Sequence, residues 1–542
     1  MPDHPAAWRR VQYPLLAAVG LAVAFLLAPP MGTDLAAQEA RAAFFDRHGA
    51  TPIDLGWYGG VNQFGYSLFS QFLGATFGVP AVGVVAAVVS AAAFAYLLRR
   101  TDARRPVLGG VLGAVVLIGN LVSGRITFAV GLAFGLLALV AVAWSAPTPG
   151  AGRRVGGWAR VGRLALTGVL AALATWASPV AGLFVGLAGG ALLLVGFRRS
   201  DGDGDRPMVN RWLAQALVLC AAPLVALAPM AVLFGNGGTQ PFTAESMRIN
   251  IALAVLTIVI LPADRRVLRV GAALTVLLLL LAYHLPSPIG SNALRLPMLF
   301  AVPVLAAYAP LGRRWLAGLL VAVLWWQPPV MTADLGRLGA AASGADFYRP
   351  LVEELRGRGP LGRIEVVPLR DHWEARYVAD AVPLARGWER QVDVDRNPIF
   401  YADGLDPAGY HDWLRHNAVS LVAVAPDSPP DRYARTEAAL IATGLPYLRE
   451  VWRDPVWRLY AVDDPLPLVA DSGRLFRSDS AAVRFTVDTP GDVLVRVHWS
   501  RWLTLTGSGG CLAPSQDGWT TVRVETPGEQ ILSSALRPGP TC

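Results

Sequence analysis

Residues 32–60 read GTDLAAQEARAAFFDRHGATPIDLGWYGG, and the rest of the chain is organised around them. This polar stretch follows an apolar run, 13–30, that ends in two prolines, and it precedes the apolar and aromatic run 64–78. It carries several carboxylates and closes on an aromatic pair followed by two glycines. A carboxylate-bearing segment that leaves a first membrane helix and stays near the membrane is where we expect the chemistry.

The composition divides the chain of 542 residues into a membrane half and a water-exposed half. Only 16% of the residues are charged, against roughly 25% in a soluble globular protein, and the mean hydropathy is +0.43. Long apolar blocks fill the chain up to residue 331, and the remainder has the composition of a soluble protein. The net charge of +8 comes largely from arginine clusters between apolar blocks, so it indicates no nucleic-acid partner.

Eleven apolar segments have lengths near the 20 residues that a membrane-spanning helix needs. They are 13–30, 80–98, 106–123, 126–145, 163–179, 180–197, 211–234, 248–262, 267–285, 295–311 and 315–331. The first segment also resembles a signal peptide, because it has a basic start and an apolar run. The sequence Ala28-Pro29-Pro30-Met31 is a poor cleavage site, however, and we favour a retained helix.

Basic residues between these segments predict the orientation, because positive charge collects in cytoplasmic loops. With the N-terminus and its Arg9-Arg10 pair inside, the cytoplasmic turns carry Arg99, Arg100, Arg104 and Arg105; Arg153, Arg154, Arg160 and Arg163; Arg198, Arg199, Arg206 and Arg211; Arg265, Arg266 and Arg269; and Arg313 and Arg314. An odd number of spans then places residues 332–542 outside. We therefore predict a multi-pass plasma-membrane protein with a cytoplasmic N-terminus and an extracytoplasmic C-terminal domain.

The fold class that we predict is a polytopic α-helical membrane domain followed by an extracytoplasmic α/β unit and a small β-sandwich. The membrane domain spans 1–331 with an outer loop at 31–63, and a linker of small and polar residues follows at 332–345. Strand-like runs at 363–368 and 419–425 alternate with helical patterns at 348–356, 407–417 and 431–443, which predicts the α/β unit over 346–465. Alternating runs at 483–487, 493–497 and 520–524 predict the sandwich over 466–542.

Two cysteines of the sandwich raise the question of a disulfide. Cys511 and Cys542 could pair if this domain is exported, because disulfides persist in oxidising compartments and help small domains. Sequence shows no geometry for the pair, but two cysteines in a small exported β domain lead us to predict a Cys511–Cys542 disulfide.

Asp34 is the first candidate for catalysis, because it opens the helical part of the outer loop. A carboxylate at a low-dielectric surface can serve as a general base toward a hydroxyl, whereas the alternative is that Asp34 merely caps the helix. Asp54 is a second candidate, although Pro52-Ile53-Asp54 could form a simple turn.

Trp57 and Tyr58 suit either an aromatic belt at the interface or a platform on which a sugar or acceptor stacks.

Two arginines at outer turns are candidates for binding a phosphate. Arg125 and Arg295 each stand where an outer turn meets an apolar segment, and Asn292 is near enough in sequence to assist Arg295. A planar guanidinium suits a lipid-linked phosphate, and the commoner alternative is that both side chains extend to the membrane interface. No Cys/His metal spacing or Gly-rich phosphate loop occurs. The polar and aromatic strings 371–374 and 386–391 could contact a glycan or be structural.

The first helix, the outer loop with Thr33-Asp34-Leu35, the many spans and the exported C-terminal part resemble the GT-C superfamily of integral membrane glycosyltransferases. This resemblance implies transfer of a sugar from a polyprenyl-phosphate donor to a glycan, lipid or protein acceptor outside the membrane. The abundance of Ala, Gly and Arg with little Lys looks actinobacterial, where such enzymes add mannose or arabinofuranose to the cell wall. The resemblance implies inversion with Asp34 as base and the arginines on the leaving phosphate, and it leaves a divalent metal open.

Two other classes of protein compete with this hypothesis. A transporter or flippase for lipid-linked sugars would use a similar cavity without a base, although the sequence shows no two-fold internal repeat of the kind that many transporters carry. A non-catalytic membrane scaffold would work through its soluble domain alone.

Overall fold

The computed structural model describes residues 4–144, 157–200, 206–329, 331–359, 361–470 and 472–542. The predicted cytoplasmic residues Arg153 and Arg154 lie outside this description. The chain forms two compact units. The helical unit contains Met1–Gly32, Tyr66–Gly235 and Thr239–Leu338, and the mixed unit contains Thr33–Gly65, Asn236–Gly238 and Gly339–Cys542.

The helices are, in chain order, α1 His4–Leu27, α2 Leu35–His48, α3 Ser70–Phe77, α4 Val79–Arg100, α5 Pro106–Val122, α6 Ile126–Trp144, α7 Gly157–Ala177, α8 Pro179–Ser200, α9 Arg206–Phe234, α10 Ala244–Ile260, α11 Arg266–His284, α12 Arg295–Tyr308, α13 Arg313–Trp326, α14 Met331–Leu335, α15 Ala345–Arg356, α16 Glu374–Tyr377, α17 Arg390–Arg396, α18 Pro407–His416 and α19 Arg435–Ala442.

The strands are β1 Ile53–Asp54, β2 Val61–Asn62, β3 Arg363–Val366, β4 Val419–Val424, β5 Leu448–Arg453, β6 Arg458–Val462, β7 Gly473–Ser478, β8 Val483–Val487, β9 Gly491–His498, β10 Leu503–Gly507, β11 Gly510–Pro514, β12 Trp519–Val524 and β13 Gly528–Ser534. A helical half followed by an α/β part and a β-rich part is the predicted order, which is thereby confirmed.

The apolar segments predicted as spans each coincide with a helix of the helical unit. Among the described residues, six helices are long and apolar enough to cross a membrane: Val79–Arg100, Ile126–Trp144, Pro179–Gly196, Trp212–Phe234, Arg266–His284 and Gly290–Tyr308. Val11–Leu27 and Pro106–Val122 are shorter apolar helices. The total of eleven spans therefore stays a prediction.

Small residues bring the helices of this unit close together. A β-carbon on Gly131 of α6 would lie 2.8 Å from the Ala181 β-carbon of α8, so glycine is needed for this close approach. Large apolar side chains on α9, such as Leu224 and Val232, are 68% and 70% exposed. Such surfaces suit lipid, because hydrocarbon chains solvate them as well as a protein interior would.

The α/β part of the mixed unit is a four-stranded sheet in the order β3-β4-β6-β5. Strands β3 and β4 are parallel, and the remaining neighbours are antiparallel. The predicted buried strands are β3 and β4, and the predicted helices are α15, α18 and α19. Asp406 caps α18 by accepting a hydrogen bond from the Gly409 N–H, and Pro407 occupies the first turn as expected.

The C-terminal part is a sandwich of two antiparallel sheets, in the orders β10-β13-β8-β7 and β11-β12-β9. Alternate residues of the predicted runs, such as Val483, Phe485 and Val495, form its apolar core. Cys511 and Cys542 are disulfide-bonded, with their Cα atoms 5.0 Å apart, which is within the usual range for such a bond. The disulfide ties the last residue of the chain to β11.

The outer loop belongs to the mixed unit, whereas the sequence-based boundaries placed it with the membrane domain. Its strands β1 and β2 form a short hairpin, and Ile53 and Leu55 enter the apolar core of the sandwich. The Leu55 N–H donates to the Ser480 carbonyl over 2.7 Å. Burial of these two apolar side chains explains why the loop packs as part of the mixed unit.

Candidate active site

Asp34 stands immediately before α2, at the N-cap position. Its φ of −87° and ψ of −9° are helical values, whereas capping residues usually have an extended backbone. Within the described residues 4–144, its carboxylate accepts no capping hydrogen bond from the first turn of α2. The residue is partly exposed. Helix capping is therefore not what holds Asp34 at this position.

The start of α2 is fastened from the string 386–391, one of the two that the sequence analysis singled out. The Trp388 indole N–H donates to the Thr33 carbonyl over 2.6 Å. Arg41, on α2, forms an ion pair with Glu389 over 2.9 Å, and the Asn236 amide donates to the same carboxylate over 3.3 Å. These bonds hold both the first residue before Asp34 and the second turn of the helix.

Asp54, the second candidate base, is 7% exposed. Its carboxylate accepts a hydrogen bond of 2.8 Å from the Gly56 N–H and so closes the turn of its own hairpin. Burial raises the pKa of Asp54 to about 7, and the Gly56 hydrogen bond opposes this rise. This environment favours the turn interpretation of Asp54 over catalysis.

Trp57 and Tyr58 are core residues of the mixed unit, 1% and 3% exposed. The Trp57 indole N–H donates to the Ala375 carbonyl over 3.0 Å, and the Tyr58 hydroxyl accepts from the Glu389 N–H over 3.2 Å. The burial favours packing over the predicted sugar-stacking and interfacial-belt roles, since a stacking platform needs an open ring face.

Gly32, in the helical unit, packs against the turn that ends α5 and precedes Arg125. It has a φ of +97°, and a β-carbon on it would lie 2.4 Å from the Val122 carbonyl oxygen. Ser123 in this turn donates a hydrogen bond of 2.7 Å to Asp334. Arg125 itself is partly buried, and its carbonyl accepts from the Ala129 N–H at the start of α6. The packing of Gly32, the hydrogen bond from Ser123 and the hydrogen bond to the Arg125 carbonyl therefore hold this turn in place.

Arg295 opens α12 and is 8% exposed. Its guanidinium lies 5.1 Å from the centre of the Phe128 ring, in the first turn of α6, and donates to the Tyr66 hydroxyl over 3.4 Å. The N-terminal turns of α6 and α12 therefore meet through this pair. Asn292 lies in the 3₁₀ turn just before α12, and its amide donates to the Pro288 carbonyl over 3.3 Å.

The chemistry of this end of the helical unit suits an anion. Helix N-termini present unsatisfied N–H groups and a positive dipole, and guanidinium groups bind phosphate oxygens in pairs. Arg125 immediately precedes α6 and Arg295 is the first residue of α12. Sequence reasoning found both arginines but missed Tyr66, whose only signal was its place in the aromatic run after the outer loop.

A buried charge cluster in the α/β part was also missed. Arg386 donates to Glu365 of β3 over 2.9 Å and is ion-paired with Glu437 of α19, and all three residues are buried. The Tyr410 hydroxyl donates to Glu437 over 2.9 Å. The attraction of these two carboxylates raises the pKa of Arg386 despite its burial. This arginine belongs to the string 386–391, so part of that string is structural.

A second buried cluster surrounds Trp388. The His372 ring stacks on the Trp388 ring with centres 3.5 Å apart and planes 9° apart. One oxygen of Asp431 lies 3.4 Å from His372 Nε2 and 2.8 Å from a guanidinium nitrogen of Arg390. Burial alone would lower the pKa of His372, but its contacts with Asp431 and Glu374 outweigh that effect and raise it.

Among the residues that the structure describes, no group of three or more His, Cys, Asp or Glu side chains is placed to hold a metal ion.

Neither a protein-family model nor a curated protein matches the sequence. Several solved structures have a similar chain course. The Archaeoglobus fulgidus oligosaccharyltransferase, tethered to an acceptor peptide, matches with a TM-score of 0.46 and 10% identity over 78% of this chain and 70% of that one. Arabinofuranosyltransferase AftD from Mycobacteria matches with a TM-score of 0.44 and 16% identity over 99% of this chain and 59% of that one.

ArnT from Cupriavidus metallidurans matches with a TM-score of 0.43 and 16% identity over 85% of this chain and 98% of that one. A structure of ArnT bound to undecaprenyl phosphate matches with a TM-score of 0.37. This chain therefore spans less than two thirds of AftD but nearly the whole length of ArnT.

Proposed function

We propose that this protein is a membrane glycosyltransferase of the GT-C superfamily that uses a polyprenyl-phosphate-linked sugar. Mannose and arabinofuranose are the donor sugars that we propose, and the acceptor is an extracytoplasmic glycan, lipid or protein. The observation that carries the proposal is the situation of Asp34. It heads a polar helix without capping it, and it follows by two residues the Gly32 that packs against the turn before Arg125.

The proposed reaction is a single inverting displacement. Asp34 accepts the proton of an acceptor hydroxyl while that oxygen forms a bond to the anomeric carbon of the donor sugar. The bond between the anomeric carbon and the phosphate oxygen breaks at the same time, and the polyprenyl phosphate leaves with the bonding electrons. The charge on this phosphate is stabilised by Arg295 and Arg125, with the Asn292 amide as a further donor.

Burial of Arg295 supports its assignment to the phosphate. The guanidinium lies beside an aromatic ring and a tyrosine hydroxyl and is largely withdrawn from water. Electrostatic attraction to a phosphate is stronger in such surroundings than in bulk water. We therefore propose that Arg295 binds the donor phosphate and that Arg125 contributes a second guanidinium to it.

Substitution of Asp34 tests the proposal. Purified Asp34→Asn protein should transfer the sugar from a synthetic polyprenyl-phosphate mannose or arabinose about 10²–10⁴-fold more slowly than the wild type, because an amide cannot take the proton. Asp46→Asn is the matched control, since Asp46 is an exposed carboxylate on the same helix, and it should leave the rate unchanged. Wild-type transfer by Asp34→Asn would remove Asp34 from the chemistry.

The proposal includes an orientation, with a cytoplasmic N-terminus and residues 332–542 outside. The alternation of arginine-rich turns supports it, as does the Cys511–Cys542 disulfide, which fits an oxidising compartment. Reporter fusions after Arg105 and after Thr332 should report opposite sides of the membrane. If both report the same side, the proposed orientation is excluded.

A further inference from the structure

We propose that Trp388 is a positioning residue for Asp34, and that His372, Arg390 and Asp431 hold Trp388 in place for this task. The inference rests on the proposed function, since it assigns Asp34 the role of base. All of the residues concerned belong to the mixed unit.

The contact that carries the inference is the hydrogen bond from the Trp388 indole to the Thr33 carbonyl, 2.6 Å long. That carbonyl belongs to the peptide group that also contains the Asp34 nitrogen, and a peptide group is planar. A hydrogen bond that holds this carbonyl therefore restrains the whole peptide plane, which contains the Asp34 Cα that carries the carboxylate side chain.

The Trp388 ring has little freedom of its own. It stacks on His372, and the Arg390 guanidinium lies 4.6 Å from the centre of the ring. His372 and Arg390 are both within 3.4 Å of the same Asp431 oxygen. Two positively chargeable groups on one carboxylate thus fix the surroundings of the tryptophan.

The backbone of His372 gives independent support. It has a φ of +58°, a conformation that is unfavourable for a non-glycine residue and persists only where the surroundings impose it. The side chain is buried, with Nδ1 3.3 Å from Glu374 on the side away from Asp431. Strain of this kind concentrates at functional sites, which is what a ring held for positioning requires.

The location in the sheet points the same way. His372 and Asp431 lie in the loops that follow the carboxyl ends of the parallel strands β3 and β4, and Leu369 and Pro430 join these loops by a β-bridge. In α/β folds, ligands bind beyond the carboxyl ends of parallel strands. Here His372 of the first loop stacks on Trp388, and Trp388 donates a hydrogen bond to Thr33, the residue before Asp34. The α/β part thus holds a catalytic segment of its own chain.

Trp388→Phe tests this role, because it retains an aromatic ring for stacking and removes only the N–H donor. The turnover number for sugar transfer should fall about 10–100-fold, as expected when a catalytic group is displaced by a fraction of an ångström, while KM for the donor stays within about twofold. Deuterium uptake by peptides covering 33–40 should rise at the same time.

Trp457→Phe is the matched control. Trp457 is fully buried in the same unit, and its indole donates to the Phe347 carbonyl over 2.9 Å, far along the chain from Asp34. This variant loses an equivalent bond, so its melting temperature should fall at least as much as that of Trp388→Phe. Its turnover number and the exchange of 33–40 should not change. Equal losses of turnover in both variants would overturn the inference.

A double variant shows whether Trp388 acts through Asp34. If it does, Trp388→Phe should add nothing to the loss caused by Asp34→Asn, whereas multiplied losses would overturn the inference. Should Trp388→Phe fail to fold, His372→Asn serves instead, because asparagine tolerates a positive φ and removes the ring that stacks on Trp388 together with its contacts to Asp431 and Glu374.

The exchange measurement separates this inference from the proposed function. If the wild-type protein transfers no sugar, the proposed function fails, yet faster exchange of 33–40 in Trp388→Phe still supports positioning of the segment. Unchanged exchange in that variant would overturn the positioning role whatever the activity.

Discussion

Gly32 lies so close to Ser123 that a β-carbon at position 32 would stand 2.5 Å from the Ser123 carbonyl carbon. Real β-carbons do not approach backbone atoms so closely, and the φ of +97° is itself unfavourable for any residue but glycine. Gly32, which ends the first segment of the helical unit, therefore packs tightly against the turn before Arg125. It precedes the candidate base Asp34 by two residues in the sequence.

Gly32→Ala should destabilise the protein by both effects, the positive φ and the clash. Overpacking of this kind typically costs about 1–3 kcal/mol beyond the conformational cost. The melting temperature of the purified protein should therefore fall well below that of Gly78→Ala, which has a φ of +84° but no atom within 4 Å of the new β-carbon. Equal melting temperatures would show that the turn yields to the methyl group.

Arg295→Ala should weaken donor binding more than it slows the chemical step. The guanidinium that we assign to the donor phosphate disappears, and charge-assisted hydrogen bonds are worth about 1.5–3 kcal/mol, or roughly 10–150-fold in affinity. Binding of a fluorescent polyprenyl phosphate measures the change. Arg248→Ala removes an exposed arginine and should leave the affinity unchanged. A loss confined to turnover would instead place Arg295 in the chemistry.

Asp54 should make the stability of the mixed unit depend on pH. Burial raises its pKa to about 7, above the value near 4 in an unfolded chain, so the folded protein holds this proton more tightly. The stabilisation is complete below pH 4 and is lost as the pH rises through about 7. This change amounts to at most about 4 kcal/mol.

Asp54→Asn should remove that dependence, because the amide oxygen can still accept the Gly56 hydrogen bond and carries no charge. Pulse proteolysis in urea at pH 5 and pH 8 measures the change, with Asp46→Asn as an exposed control in the same loop. An unchanged pH profile in Asp54→Asn would assign the titration to another group.

Cys511→Ser should lower the free energy of unfolding of the mixed unit by about 2–4 kcal/mol, because the bond closes a loop between residues 31 positions apart. Urea unfolding with and without reductant measures this cost. Reductant should destabilise the wild type and leave Cys511→Ser unaffected. Cys220→Ser, at the one unbonded cysteine of the described chain, should behave as the wild type.

The sequence predicted those elements that long local patterns define. Apolar runs of helical length predicted the helices of the helical unit. The buried strands β3 and β4 stood out by their valine and isoleucine or leucine residues, although β3 also contains Arg363 and Glu365. Strands β5 and β6 were not predicted, because Arg449, Glu450 and Arg453 interrupt β5 and β6 is a short run that begins with Arg458. Such a pattern is typical of strands that are exposed on one side and lacks the contrast that a sequence search needs.

The partners of the outer loop could not be predicted. Ile53 and Leu55 needed an apolar core, but nothing in the sequence distinguishes the core of the helical unit from that of a sandwich more than 400 residues later. The bond between Trp388 and Thr33 joins residues 355 positions apart and involves a backbone carbonyl, which every residue possesses. The preference of aspartate for N-cap positions likewise offered capping as an alternative for Asp34, and Asp34 makes no capping bond to the described first turn of α2.

The mixed unit is built from separate segments of the chain, so its first segment is synthesised well before the residues on which it packs. Residues 33–65 are synthesised first, and apart from the three residues 236–238 the rest of their unit begins at Gly339, roughly 270 residues later. At about 5–20 residues per second, this interval lasts on the order of 15–60 s. During that time Ile53, Leu55 and Trp57 lack the residues against which they are buried in the folded unit. A chaperone that covers this segment until residue 542 is made would therefore raise the yield of folded protein, and a C-terminal fragment beginning at Gly339 would lack two of the side chains on which its sandwich closes.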